Sequence, residues 1–254
     1  MKTLKISIIT ISYNSASYIE QTIKSVCEQT FQNKEYIVVD GGSTDGTVEI
    51  IKKYEDKIDK WVSEPDHGIA DAMNKGLALA SGDFVIFLHS DDYFVDENVL
   101  TGASAHLAAD CEIFLFNIWL TKNGESRLFV PRGMNWWMNF KTGVFHQSAI
   151  CSRNLFERIG NFDPGLRIAM DYDFFLRAYR AGVIAKKIGL PLSVMRLCGL
   201  SSQLDWPSLR ERFREERRIH TKNSPSTPLR LLYLVYWLFY PLYRYCKSCL
   251  GKKT

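Results

Sequence analysis

Two apolar runs that each end on acid constrain this chain most. Tyr36-Ile37-Val38-Val39 leads into Asp40-Gly41-Gly42-Ser43-Thr44-Asp45-Gly46-Thr47, and Phe84-Val85-Ile86-Phe87-Leu88 leads into His89-Ser90-Asp91-Asp92. A short apolar run bounded by turn residues reads as a buried strand. Each strand therefore delivers carboxylates to a loop at its carboxyl end, the place where open α/β sheets bind nucleotides.

The surrounding pattern supports such a sheet. Residues 5–11 read as a first strand. Ser17 and Glu20 have capping-box spacing, and Ile19, Ile23, Val26 and Cys27 then share one helical face. Asp45-Gly46-Thr47 opens a helix carrying Val48, Ile51 and Tyr54, and residues 60–63 form a short strand. Ile69, Ala72, Met73, Gly76, Leu77 and Ala80 make the apolar face of another helix. Strand–helix alternation with short connections predicts parallel strands covered by helices. The second half is less regular. Residues 112–120 and 127–130 should pair across Asn123-Gly124, a hairpin signal. A strand is expected over 145–151. A helix is expected over 154–159, with Ser152 as its cap and Gly160 as its stop, and a further helix over 171–181, ended by Gly182. The expected fold class is α/β, a Rossmann-like mixed sheet flanked by helices, with C-terminal amphipathic helices appended.

Charge divides the chain. Residues 206–254 hold eleven Lys/Arg against three Glu, which leaves residues 1–205 with a net charge of −4 out of a total of +4. An acidic body argues against a nucleic-acid-binding domain and suits one that holds a divalent cation, while the basic tail suits an anionic surface. The run from Ile6 to Ile11 is too short for a signal-peptide core. The six cysteines (Cys27, Cys111, Cys151, Cys198, Cys246 and Cys249) have no framework-like spacing, so reduced thiols are expected.

The acids carry the chemistry. Asp40, at a strand end, can accept the imide N–H of a uracil ring or fix the turn that follows it. Asp45 suits the next helix N-terminus. Asp91 and Asp92 repel one another unless a cation or hydrogen-bond donors compensate. Oxygen ligands suit Mg²⁺ or Mn²⁺, ions that commonly bridge carboxylates and a diphosphate; a solvated loop is the alternative. His89 could join that shell. Asp71 and Lys75, spaced i,i+4, form a surface pair or meet a sugar hydroxyl and a phosphate. In Met170-Asp171-Tyr172-Asp173, one acid complements the helix dipole and another can act as a general base.

Taken together these segments resemble the family 2 inverting glycosyltransferases of the GT-A fold. The resemblance is carried by Ile8-Ile9-Thr10-x-x-Tyr13-Asn14, Asp40 to Thr47, Ser63-Glu64-Pro65-Asp66-x-Gly68-Ile69-x-Asp71-Ala72-Met73-Asn74-Lys75-Gly76, Ala80-Ser81-Gly82-Asp83, Ser90-Asp91-Asp92, Gly160-x-Phe162-Asp163 and Asp171-Tyr172-Asp173, across residues 5–182. It is strongest toward bacterial transferases that build exopolysaccharide or O-antigen repeat units. It implies a catalytic domain over 1–205, with a nucleotide-binding half over 1–110 and an acceptor half over 111–205. It places Thr10, Tyr13 and Asp40 around the nucleoside of a UDP-sugar, with Asp71, Lys75 and Asp91 also toward the donor. It gives Asp91 and Asp92 the Mn²⁺ or Mg²⁺, Asp171 the role of catalytic base, and His146-Gln147 the acceptor side. The implied acceptor is a saccharide carried on polyprenyl diphosphate. His89 stands where many members have Asp or Asn, and Met170 where many have Glu. These two departures are the support for the alternative, a non-catalytic sugar-nucleotide-binding or scaffold subunit of a membrane assembly complex.

In the tail, residues 231–243 are thirteen apolar or aromatic residues, short of the roughly 20 needed to span a bilayer. Leu231, Leu234, Val235, Leu238, Phe239 and Leu242 form a stripe. Tyr and Trp cover the rest, and Arg230, Arg244, Lys247, Lys252 and Lys253 lie nearby. This reads as a peripheral or monotopic attachment at the cytoplasmic face of the bacterial inner membrane. Packing on the body, or on a second subunit in a homodimer, is the other way to cover the stripe.

Overall fold

The computed structural model describes residues 4–197 and 205–250. The parallel half is β1 (Ile6–Ser12), β2 (Lys34–Asp40), β3 (Lys60–Ser63) and β4 (Phe84–Phe87). Helices α1 (Ile19–Cys27), α2 (Thr47–Lys52) and α3 (Ile69–Leu79) connect them. The chain continues through β5 (Tyr93–Phe94), α4 (Val99–Ser104), β6 (Ile113–Lys122), β7 (Glu125–Phe129), β8 (Ala149–Ser152), α5 (Arg153–Ile159), α6 (Met170–Arg180) and β9 (Ala185–Arg196). All strands join one mixed sheet, ordered β3-β2-β1-β4-β8-β6-β9-β5, with β7 on β6. The hairpin turns at Asn123 and Gly124, whose φ values of 51° and 84° are those that favour Asn and Gly at a tight β-turn.

The strand alternation builds two cores. Ile6, Ile8, Tyr36 and Val38 face one side with Ile19, Ile23 and Val26 of α1. Ile9, Ile11, Ile37 and Val39 face the other with Met73 and Leu77 of α3 and with Phe174 and Leu176 of α6. Burying each such side chain contributes roughly 1.5–3 kcal/mol. Helix α3 lies so close to β1 that a Cβ on Gly76 would sit 2.4 Å from Ile9 Cγ2, so glycine is required there.

Two local expectations are corrected. The Ser17/Glu20 capping box does not form: α1 begins at Ile19 without a side-chain cap, and Glu20 instead accepts from the Tyr54 hydroxyl at 2.7 Å and pairs with Lys24. The strand expected over 145–151 is a 3₁₀ turn, His146–Ser148, followed by β8. The described thiols Cys27, Cys111, Cys151 and Cys246 are free. Cys198 and the side chain of Cys249 lie outside the described residues.

At the end of the sheet remote from the acidic loops, buried Glu35 accepts from Ser7 Oγ (2.8 Å), Ser81 N–H (2.8 Å), Ser81 Oγ (2.9 Å) and Lys60 Nζ (2.9 Å). Burial opposes its ionisation. Lys60, the Ser81 amide and the two hydroxyls outweigh that and hold its pKa down at about 2. Because the folded value lies below the ordinary one, this contribution is complete above about pH 4.5 and is lost as pH falls toward about 2. Glu35→Gln is expected to cost about 3 kcal/mol at neutral pH. Urea melts from pH 7 to 3 should show the variant losing less stability than the parent on acidification; equal losses would remove Glu35 from the acid response.

The C-terminal segment forms α7 (Trp206–Lys222) and α8 (Thr227–Leu250). Helix α7 is bonded into the body. The Glu215 carboxylate accepts from the N–H groups of Arg167 (2.8 Å), Ile168 (2.9 Å) and Ala169 (2.8 Å), the amides that open α6. Helix α6 has no side-chain cap of its own, and Glu215 instead fixes the segment that leads into it, up to the N-cap residue Ala169. No helix among the described residues is long and apolar enough to cross a membrane. On α8, Leu231, Leu234, Val235, Leu238, Phe239 and Leu242 are each more than half exposed.

Candidate active site

The loops after β1 and β2 are laced together. Asn14, at φ 47°, receives the Thr44 N–H on its Oδ1 (3.0 Å) and donates its own N–H to Ser43 Oγ (2.8 Å). Asp45 accepts from the Ala16 N–H (3.0 Å) and from the Thr47 N–H (3.1 Å), which ties α2 to the first loop. Asp40 is fully buried and accepts five hydrogen bonds: from the hydroxyls of Ser12, Ser43 and Ser63 and the N–H groups of Gly42 and Ser43, all at 2.5–3.1 Å. A carboxylate offers about four lone-pair directions. Its oxygens are committed to the turn, so they present no open acceptor to a ligand in this conformation. Thr10 is buried likewise, with its hydroxyl accepting from Tyr36 OH at 3.2 Å. Tyr13 is 64% exposed, and its ring lies over Gly41. An Asp66 carboxylate oxygen covers the same glycine so closely that a Cβ there would lie 2.3 Å from it. Tyr13 and Asp66 thus cover the buried Gly41 beside the buried Asp40.

Lys75 points from α3 to the 64–68 loop. Its ammonium meets Glu64 (2.8 Å), the Pro65 carbonyl (3.1 Å) and Asp71 (3.6 Å), and Asp71 also accepts the His67 N–H at 3.0 Å. Three acceptors match the three ammonium protons. This pair holds the loop that carries Asp66.

The acid pair after β4 splits. Asp92 is buried; one oxygen accepts from Gln147 Nε2 (2.9 Å) and the other from the Arg196 N–H (3.1 Å). Burial, and then the adjacent Asp91, push its carboxyl well above the usual range. Asp91 is half-buried, in the turn closed by the Asp92 N–H on the His89 carbonyl (3.0 Å). The Arg196 guanidinium donates to the Asp91 carbonyl and to Gln21, and lies over the rings of Tyr18 and Tyr93 at 5.1 and 4.8 Å. Strand β9 therefore clamps the acidic loop by its backbone and by Asp92.

His89 opens the same loop, and its ring stacks on His146 with centroids 4.2 Å apart. Burial, then the His146 ring, push His89 well below its ordinary pKa, so it is neutral at pH 7. His146 Nδ1 lies 3.8 Å from Asp171 Oδ2. His89 Nε2, both His146 nitrogens and Gln147 Oε1 are buried without a hydrogen-bond partner among the described residues. Asp171 sits on the first turn of α6 with one oxygen accepting the Tyr172 N–H at 2.7 Å. Asp173, two residues on, is buried and bonded to Arg177 (2.8 Å) and Asn223 (2.7 Å), so it serves the fold. The acids of β4 and α6 thus meet across a pair of imidazoles.

The family model for glycosyl transferase family 2 matches residues 7–172, from β1 to the turn that bears Asp171. The chain belongs to glycosyl transferase family 2. An uncharacterized glycosyltransferase of Mycobacterium tuberculosis is 37% identical over 178 residues, 68% of each chain. A putative teichuronic acid biosynthesis glycosyltransferase of Bacillus subtilis is 47% identical over 91 residues, 34% of this chain and 36% of that one. Among solved structures, S. aureus TarS 1–349 in complex with UDP-GlcNAc superimposes with a TM-score of 0.70 at 24% identity over 85% of this chain; the match spans 65% of that chain. The fold of this glycosyltransferase is GT-A.

Three participants in the transferase site escaped sequence reasoning. Arg196 and Glu215 act from far along the chain, and no spacing rule links them to the acidic loop and to the amides that they respectively hold. Asp66 lay within a quoted motif, but only the fold brings it over Gly41. The cation such a site would take was tested against its donors. Asp92 is buried with each oxygen already accepting one hydrogen bond, and no cluster of three or more His, Cys, Asp or Glu able to hold a metal exists among the described residues. Asp91 alone of the pair would be left to hold such an ion, whose remaining ligands would come from a diphosphate.

Proposed function

We propose that this glycosyltransferase moves a sugar, with inversion, from a UDP-sugar to a saccharide hydroxyl in the assembly of a bacterial surface polysaccharide. The observation that carries the reading is the contact chain His89–His146–Asp171, which joins a carboxylate on a helix N-terminus to the acidic loop after β4. Asp171 takes the acceptor proton as that oxygen bonds the anomeric carbon. The anomeric C–O bond to the diphosphate breaks in the same displacement, and UDP leaves with the electron pair. A divalent cation held by Asp91, when bound, supplies charge neutralisation for the departing diphosphate. Tyr13 and Asp66 receive the nucleoside, with Asp40 and Lys75 fixing the two loops beneath it. Support for the donor and pathway comes from the UDP-GlcNAc complex of the structural neighbour and the teichuronic acid role named for the relative.

The test is calorimetric titration with UDP, with and without Mn²⁺. Mn²⁺ should tighten UDP binding, and Asp91→Asn should weaken the metal-dependent part by about 10–100-fold. An Asp91→Asn titration indistinguishable from the parent's would sink the metal assignment. A panel of UDP- and GDP-sugars scored by mass spectrometry then identifies the donor.

The acceptor is proposed to be carried on polyprenyl diphosphate, with the exposed α8 face and its flanking Arg230 and Arg244 lying on the anionic cytoplasmic leaflet. Flotation with phosphatidylglycerol vesicles should recover the protein at the lipid layer. Recovery wholly in the aqueous fraction would contradict membrane attachment.

A further inference from the structure

A pocket of about 320 Å³ lies between the loop 132–143 and α8, outside the donor cleft. A hydrogen bond from the Arg132 N–H to the Gly143 carbonyl (3.2 Å) closes that loop. Trp136 and Trp137, 51% and 63% exposed, form one lip. The rings of Tyr236 and Tyr240, stacked at 4.7 Å and 13°, form the opposite wall. The lining is mainly apolar, yet two cations stand in it. Arg132 and Lys141 both line the pocket, and the Lys141 ammonium sits 4.1 Å from the centre of the Tyr240 ring, with the Arg244 guanidinium 5.9 Å from that same ring. Burial pushes Lys141 down to about 8; Glu216 pulls the other way, and Arg244 and Arg212 add to the fall. Positive charge here exceeds what Glu216 offsets. The Tyr236 hydroxyl is buried without a partner among the described residues.

The pocket wall is bonded to the first turn of α6. Its Met138 carbonyl accepts the hydroxyl of Tyr172 at 2.9 Å, and Tyr172 follows Asp171. Its Tyr236–Tyr240 wall belongs to α8, the helix whose outward side carries the exposed apolar residues. A ligand filling it would therefore be anionic next to Arg132 and Lys141, apolar between the aromatic walls, and able to extend toward a lipid surface.

We propose that this pocket binds the head of an isoprenyl diphosphate, the carrier end of the acceptor. Its diphosphate lies at Arg132 and Lys141, and its first isoprene units lie between the Trp136–Trp137 lip and the Tyr236–Tyr240 wall. Charge-assisted hydrogen bonds hold the anion, and the apolar walls remove the proximal hydrocarbon from water. The proposal rests on the lipid-linked acceptor reading above.

The test uses the full chain and farnesyl diphosphate as the probe, with farnesol and inorganic diphosphate as comparison ligands, read by intrinsic tryptophan fluorescence and calorimetry. Farnesyl diphosphate should bind saturably and stay bound in excess UDP. Each half-ligand should bind at least about tenfold more weakly, because each lacks one of the two contact classes. Trp137→Ala and Lys141→Ala should each weaken farnesyl diphosphate about tenfold, Lys141→Arg should restore most of it, and UDP affinity and the thermal melt should stay at parental values. The proposal is overturned if a UDP-binding protein does not bind farnesyl diphosphate, if UDP displaces it, if inorganic diphosphate binds equally well, or if both alanine variants bind as the parent does. Loss of UDP binding by the parent would strike the donor reading instead and leave the farnesyl diphosphate result to decide the pocket.

Discussion

Asp171→Asn should reduce sugar transfer by about 10²–10⁴-fold, the range that a positioned general base supplies, while UDP binding and the thermal melt stay unchanged. Asparagine matches aspartate in shape and can still accept the Tyr172 N–H, so α6 keeps its first turn. What it lacks is the basicity to take the acceptor proton. The effect should fall on kcat, read by single-turnover transfer under saturating donor. Full turnover by this variant would assign the proton to another group, and His146, 3.8 Å away, is the next to replace.

The second large effect is structural. Asp40→Ala leaves two buried N–H groups and three hydroxyls without their shared acceptor. Breaking such a charged buried network is expected to cost about 3–5 kcal/mol, which for a protein of this size lowers the melting temperature by about 10 °C. Differential scanning calorimetry measures it. A variant that melts like the parent yet binds UDP weakly would return Asp40 to direct base recognition and remove it from the framework.

These two carboxylates mark what could be read from residues and what could not. Strands β1, β2 and β4 were legible because each is an apolar run closed by turn residues, and the β6–β7 hairpin because Asn123-Gly124 tolerates positive φ. The candidate site was legible as a set of acids at strand ends and at a helix start. The division of labour among those acids was not. Asp91 and Asp92 are adjacent and identical in type, and they sit in a turn, where no strand periodicity tells one from the other. Only the arrival of Gln147 from a 3₁₀ turn and of Arg196 from β9 decides that Asp92 is held inside. Asp40 reads as a ligand-facing acid until the three serines around it are placed, two of them on other strands or loops. The Ser17/Glu20 pattern has the right spacing for a cap, but Tyr54 competes for Glu20 from the turn after α2. Local pattern located the polar groups; partners distant in sequence determined which of them were already satisfied.

The carboxylate of Glu215 has a practical consequence. It is one of only three acids in residues 206–254, and it is spent on the amides that open the helix bearing Asp171. Tyr172 and Asp173 are bonded in the same way to His220 and Asn223. Shortening the protein at residue 205 would therefore remove the anion bonded to the amides that lead into this helix, and an inactive product is expected. A cut placed after Asn223 spares all three contacts and removes only α8. Comparing the two truncations separates attachment to a surface from assembly of the catalytic centre, which the charge distribution alone would have placed in one segment.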